Sequence, residues 1–332
     1  MRATITLNLL TGAAAFYSPP GLLGGLVDQK KREVDALYRL PEARDDGPWG
    51  LRLSYPAGQS SYKLARSIGW KRERLAVLAD LKRSSPATKL GVVEKLDEQM
   101  SVTTRVQHAL QHGLAGALVN TDPATYGGST GDVVTARQYL EALRSEAAAA
   151  LPIVAKDLFI DPMQIAQAAS LGADAVVLIA AAAADVLPEL LDTCTLLGLE
   201  AIVEVHTRDE IDLAVQEHAP ILLVNERDRA TGELYYGNAC ALAQMMPPET
   251  TMLACGGIER IDHVRKLRAS GYDGVVLGRA LAGPRADELL AQIAADNEQF
   301  VAAAEEEHGG NGRVVEVIQG TDAPPQPSDR MR

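Results

Sequence analysis

The sequence predicts an α/β chain folded as a single (β/α)8 barrel preceded by one extra helix. Three observations carry that expectation. From residue 75 onward, eight short aliphatic or β-branched runs recur, at 75–81, 115–119, 152–155, 174–179, 200–205, 220–224, 250–254 and 273–277. Most gaps between them hold helix-like stretches, such as MQIAQAASLG, TRDEIDLAVQE and RIDHVRKLRASG, that end near Gly or a polar break. Buried-type strands alternating with helices predict a parallel sheet. Eight such units within about 210 residues also match the usual size of a closed barrel. An open doubly wound sheet is the alternative, but no GxGxxG follows the first run, which weakens any dinucleotide-binding reading.

The elements follow in order. Residues 1–24 divide two readings. Arg2, a weakly apolar stretch from Ile5 to Leu10, and Ala13-Ala14-Ala15 before Phe16 together look like a cleavable targeting signal. Small residues followed by Phe resemble the plastid presequences of algae with complex plastids. The other reading is an uninformative, flexible N-terminus on a cytoplasmic protein. Residues 25–60 comprise an amphipathic helix at 25–40, with Leu26, Val27, Val34, Leu37 and Leu40 as its apolar positions, and then a Gly-, Pro-, Asp- and Ser-rich loop at 41–60. The barrel is assigned to residues 61–300, closed by a helix over DELLAQIAADNEQFVAAAEEE. Residues 301–332 form an acidic tail, Gly/Asn-rich and then Pro-rich, expected to be flexible.

Composition narrows the function classes. The 332-residue chain is 47% hydrophobic and 23% charged, so it can bury a large core without a partner. Aromatics are only 4%, which suits aliphatic parallel strands packed on helices better than a β-sandwich. A net charge of −12 argues against a nucleic-acid partner. It leaves room for a small phosphorylated substrate, which needs only a nest of amides and a cation. Cys194, Cys240 and Cys255 form no CxxC or clustered His/Cys pattern, so a disulfide framework and a metal centre are not expected, nor is a cofactor. No apolar run approaches a membrane span.

In a parallel barrel the chemistry lies at the C-terminal strand ends. The first strand ends in Asp80-Leu81-Lys82-Arg83-Ser84-Ser85-Pro86, and the second in Asn120-Thr121-Asp122-Pro123 followed by Tyr126-Gly127-Gly128-Ser129. The third ends in Lys156-Asp157, the fifth carries Glu204 and His206, and the sixth ends in Asn225-Glu226-Arg227. Cys255-Gly256-Gly257 and Gly278-Arg279 close the seventh and eighth. Asp80 and Lys82 are two apart, as are Asn225 and Arg227, so each pair faces one side of its strand. Glycines after the last two strands let backbone amides approach a phosphate.

KRSSP, TDPATYGGS, LPIVAKDLFIDPMQI, LGADAVVLIAA, LGLEAIVEVHTRDE, the Asn-x-Arg at 225–227 and GYDGVVLGRAL occur in that order. Together they resemble the signature of the indole-3-glycerol phosphate synthases over roughly residues 75–283, and the helix at 25–40 resembles that family's extra N-terminal helix. The resemblance implies a carboxy-lyase of tryptophan biosynthesis. Such an enzyme closes a pyrrole ring on 1-(2-carboxyphenylamino)-1-deoxyribulose 5-phosphate with loss of carbon dioxide and water, and other enzymes of that pathway are candidate partners. It implies Lys156 as general acid, Lys82 as a second catalytic lysine near the phosphate, and Glu204 and Asp80 as the catalytic carboxylates. Substrate contacts fall to Ser85, Tyr126, Leu158, Asn225, Arg227, Cys255, Gly256, Gly257, Gly278 and Arg279. Arg227 suits the anthranilate carboxylate, Tyr126 and Leu158 stand at the ring walls, and His206 only shapes its loop.

The resemblance has departures. The family has glutamate where this chain has Asp80, and Glu-Ser-Gly where it has Cys255-Gly256-Gly257. Glu226 replaces a small polar residue and is expected to set a negative charge beside Asn225 and Arg227. These changes support an alternative, a weakened or inactive paralogue that binds a phosphorylated ligand or serves as a structural subunit.

Overall fold

A computed structural model describes residues 22–58, 60–69, 74–86, 93–228 and 232–309. Eight parallel strands close into a barrel: β1 (Ala76–Leu81), β2 (Gly116–Asn120), β3 (Ile153–Lys156), β4 (Ala175–Ile179), β5 (Glu200–Val205), β6 (Ile221–Asn225), β7 (Thr251–Cys255) and β8 (Gly274–Leu277). Each strand pairs with its neighbours in sequence, and β8 pairs back onto β1 with Ala76 opposite Gly274. The main helices after β1 and β8 are Val102–Gln111 and Ala286–Gly309. The open-sheet alternative is thereby excluded.

The aliphatic runs do two jobs because alternate residues face opposite ways. Leu78, Leu118, Val154, Val177, Ile202, Leu223, Leu253 and Val276 fill the barrel interior. Their neighbours, such as Val77, Ala117, Val176 and Val224, pack under the outer helices. Both faces are therefore dry, which is why the strands read as continuous apolar runs. At the N-terminal end a short helix, Lys63–Ile68, plugs the barrel with Leu64 and Ile68. Glu200, at the start of β5, fastens it by accepting from the Leu64 and Ala65 amides at 2.6 and 2.9 Å.

Several boundaries differ from expectation. The extra helix spans Leu22–Leu37. Residues 41–60 are not all loop, since a helix runs from Pro48 to Ser54 with buried Trp49, whose indole donates to Ser170 Oγ at 2.9 Å. Proline preset at its first turn and a tertiary anchor outweigh the turn-rich composition. Between β1 and its helix lies an antiparallel ribbon, Ser84–Pro86 with Val93–Lys95, that strand periodicity did not signal. The last helix continues past residue 300 to Gly309. Most of the expected targeting segment and of the tail lie outside the described residues. Among those described, no helix is long and apolar enough to cross a membrane.

Candidate active site

The polar strand ends converge because each lies two residues beyond an interior aliphatic side chain. Asp80 follows Leu78, Asn120 follows Leu118, Lys156 follows Val154, Glu204 follows Ile202, Asn225 follows Leu223, Cys255 follows Leu253 and Gly278 follows Val276. The same parity that packs the core therefore stacks a polar layer above it.

Two linked clusters make up this layer. Asp80 accepts from Lys82 Nζ at 2.6 Å and from Asn120 Nδ2 at 2.6 Å. Lys156 Nζ stands 3.7 Å from Asp80 Oδ2 and 3.7 Å from Glu204 Oε2, so its ammonium bridges the two buried carboxylates. Burial works against the charge of Asp80, yet Lys156, Lys82 and Asn120 outweigh it and hold the carboxyl far below the usual range. Glu204, with no exposed surface, also accepts from Asn225 Nδ2 at 3.0 Å and lies 3.4 Å from His206 Nε2. Burial alone would lower the His206 pKa, but Glu204 and Glu210 raise it from 6.5 to about 9, so the imidazole is cationic at neutral pH. Every carboxylate on this floor thus faces a cation.

Above the floor opens a cleft at the barrel mouth. Asp80, Lys82, Ser85, Tyr126, Lys156, Asn225, Arg227, Cys255, Gly256, Gly257, Gly278 and Arg279 all line it. Lys82 Nζ lies 5.8 Å from the centroid of the Tyr126 ring, within cation–π range. Arg227 donates from Nη1 to the Gly232 carbonyl at 2.7 Å, which steadies the guanidinium at the rim. Arg279 forms an ion pair with Glu94 on the ribbon.

Two expectations need correction. Leu158 does not stand at the cleft wall but packs with Leu23, Val27 and Ile179 beneath the N-terminal helix. Glu226 does not load the cleft with negative charge. It lies between two inward-facing residues, so it points outward, accepts from the Gly237 and Ala239 amides at 2.8 and 3.3 Å, and meets His263 Nε2 at 3.1 Å. The glycines at the ends of β7 and β8 also pack closely against the polar layer. A Cβ on Gly278 would come within 3.0 Å of Lys82 Nζ and 3.1 Å of Asp80, and one on Gly256 within 2.7 Å of Asn225 Oδ1.

Other residues have roles at the site that the sequence does not signal. Asn120 holds Asp80, and its two-residue step from Leu118 gives the face it lies on but not this contact. His206 shares the face of Glu204 and acts on it, which a loop-shaping role leaves out. Lys30 interrupts the apolar face of the first helix between Val27 and Val34. It is buried and paired with Asp157 at 2.7 Å and Glu33 at 2.6 Å, which clips the helix over the β3 end. Burial opposes its charge, but these two acids outweigh the penalty and raise its pKa. Leu26 of the same helix reaches the cleft.

A sequence model of the family described as indole-3-glycerol phosphate synthase matches residues 23–294. The chain belongs to that family. An indole-3-glycerol phosphate synthase from Arthrobacter sp. (strain FB24) is 33% identical over 241 residues, covering 70% of this chain and 81% of that one. One from Bacillus thuringiensis (strain Al Hakam) is 32% identical over 264 residues, covering 78% and 92%. Among solved structures, thiamine phosphate pyrophosphorylase from Pyrococcus furiosus superposes with a TM-score of 0.50 at 15% identity, covering 69% of this chain and 98% of that one. The 3-keto-L-gulonate-6-phosphate decarboxylase of Vibrio cholerae gives 0.50 at 16%, covering 68% and 99%. Those two likenesses show the barrel fold alone. The family match shows more, an enzyme of the lyase class that handles a phosphorylated small molecule.

Proposed function

We propose that the protein is an indole-3-glycerol phosphate synthase, acting on 1-(2-carboxyphenylamino)-1-deoxyribulose 5-phosphate. The observation that carries this reading is the convergence of Lys82 and Lys156 on Asp80 at the floor of the cleft. Ring closure needs a proton at the ketone oxygen as the aromatic carbon attacks, and later a proton on the departing hydroxyl. Lys156 has the right placement for the first, because it lines the cleft between two buried carboxylates. Asp80 is the floor carboxylate that lines the cleft and so takes the base's part when the ring proton leaves. The contacts that hold it ionised also make it a weak base, which limits that step. Glu204 lies below the lining and acts through Lys156 and Asn225. Arg227 is suited to the anthranilate carboxylate, since a guanidinium can grip it with two parallel hydrogen bonds. The amides near Gly256, Gly257 and Gly278, with Lys82, suit the phosphate.

Incubating the protein with this substrate, while following indole fluorescence and carbon dioxide release, tests the reading. Cys255 and Asp80 favour a second reading, a ligand-binding paralogue. Phosphate binding without any indole product would select it. Residues 1–21 support a plastid location, with the cytoplasm as the alternative, and imaging a fluorescent fusion of the full chain decides between them.

A further inference from the structure

Outside the cleft, on the flank where the barrel closes, two histidines and an aspartate meet. His108 lies in the last turn of helix Val102–Gln111, and His112 is its C-cap. Residues four apart on a helix sit one above the other, so both imidazoles project from one face. Asp287 is the second residue of helix Ala286–Gly309. Because β8 pairs with β1, the helices that follow these strands are neighbours, and chain positions 179 apart come into contact. His108 Nε2 lies 2.7 Å and His112 Nε2 3.4 Å from the same oxygen, Asp287 Oδ1, and the two rings are 4.4 Å apart between centroids. Among the described residues, these form a group of three potential ligand atoms all within 4.8 Å of one another.

We propose that this trio is a zinc-class metal site that clips the first barrel helix to the last. Two imidazole nitrogens and one carboxylate oxygen are a borderline-soft donor set, suited to Zn2+ and poorly suited to Mg2+. Around a tetrahedral ion with bonds near 2.0–2.1 Å, ligand atoms stand about 3.3–3.4 Å apart. The His112 to Asp287 distance already has that value. The His108 to Asp287 pair is closer, as a hydrogen bond requires, and would open by about 0.6 Å, while the two imidazole nitrogens, within 4.8 Å of one another, would settle to the same spacing. All three groups are partly or wholly exposed, so ions can enter and water can complete the shell. The seam is already tied nearby, where Arg105 donates to the Leu281 carbonyl at 2.6 Å, so the trio presents fixed helices rather than a loose surface. No local pattern in the sequence signals this site, because Asp287 lies 179 positions from His108 in the chain.

The test is calorimetric titration of Zn2+ into the EDTA-stripped full chain, with His108→Gln, His112→Gln and the double variant beside it. Cys240, Cys255 and other histidines can take zinc elsewhere, so the difference between chains is the readout. The expected result is one more equivalent bound by the parent than by the double variant, with affinity at that site at least about tenfold lower in each single variant. Zn2+ should raise the melting temperature of the parent but not of the double variant, and Mg2+ should do neither. Equal zinc affinity and an equal thermal shift in the double variant would overturn the proposal. So would the absence of zinc binding by the parent, which would leave the trio an ion pair only.

Discussion

Lys156 is the most exacting place to probe the site, because it stands between two buried carboxylates. Replacing it with methionine keeps most of the stem and removes the charge. At 3.7 Å each carboxylate attracts the ammonium by about 4.5 kcal/mol at an effective dielectric constant near 20. The net loss is smaller, because the ammonium's own desolvation cost disappears. Removing one partner of a buried pair costs about 3–5 kcal/mol. The lower end applies here. Glu204 would keep Asn225 and His206, and Asp80 would keep Lys82 and Asn120. Lys156→Met should therefore lose about 3 kcal/mol of unfolding free energy by urea denaturation at neutral pH. Adding Glu204→Gln should restore little of that stability, because it also takes the carboxylate partner from His206. Neither variant should regain turnover, since kcat is expected to fall by at least about 100-fold with a much smaller change in KM. A Lys156→Met protein as stable as the parent would refute the bridging role. An unchanged kcat would refute the assignment as general acid.

The His206 pKa, raised from 6.5 to about 9, makes its stabilisation complete below pH 6.5 and progressively lost as pH climbs through 9. The full effect is bounded at about 3 kcal/mol, so in His206→Gln the fall in stability across that window should flatten, and an identical pH slope would contradict it. Gly278→Leu should abolish binding of inorganic phosphate and depress kcat while circular dichroism stays native, because the new side chain displaces Lys82 as well as blocking the amides. Undiminished binding in calorimetry moves the phosphate elsewhere. Restoring the family's acids with Asp80→Glu and Cys255→Glu should raise kcat/KM about tenfold, or about 1.4 kcal/mol, but only with Asn120→Ala added. The 2.6 Å bond from Asn120 leaves no space for another methylene. A gain without the Asn120 change would show that the floor is looser than its geometry.

The barrel was legible because its strands are dry on both faces and its helices are not, so periodicity separates them without any knowledge of their partners. Most cleft-lining residues were legible for a related reason. Strand ends in a parallel barrel meet at one mouth, and parity names which side chains face it. Parity also turns Glu226 outward, whereas adjacency in the chain to Asn225 and Arg227 points the other way. Other features depend on distances between remote segments, and no local pattern carries those. Trp49 anchors a helix in turn-rich sequence, Lys30 crosses from the first helix to the β3 end, and Leu158 is claimed by that helix rather than by the cleft. Asn120 fixes Asp80 across the pairing of β1 with β2, and Asp287 reaches His108 only because β8 pairs with β1. The sequence by itself determined which residues are buried, strand by strand, and what chemistry stands at each end. Only the tertiary structure decided which buried charges neutralise one another, since that is set by through-space separations of a few ångströms that the order of residues does not encode.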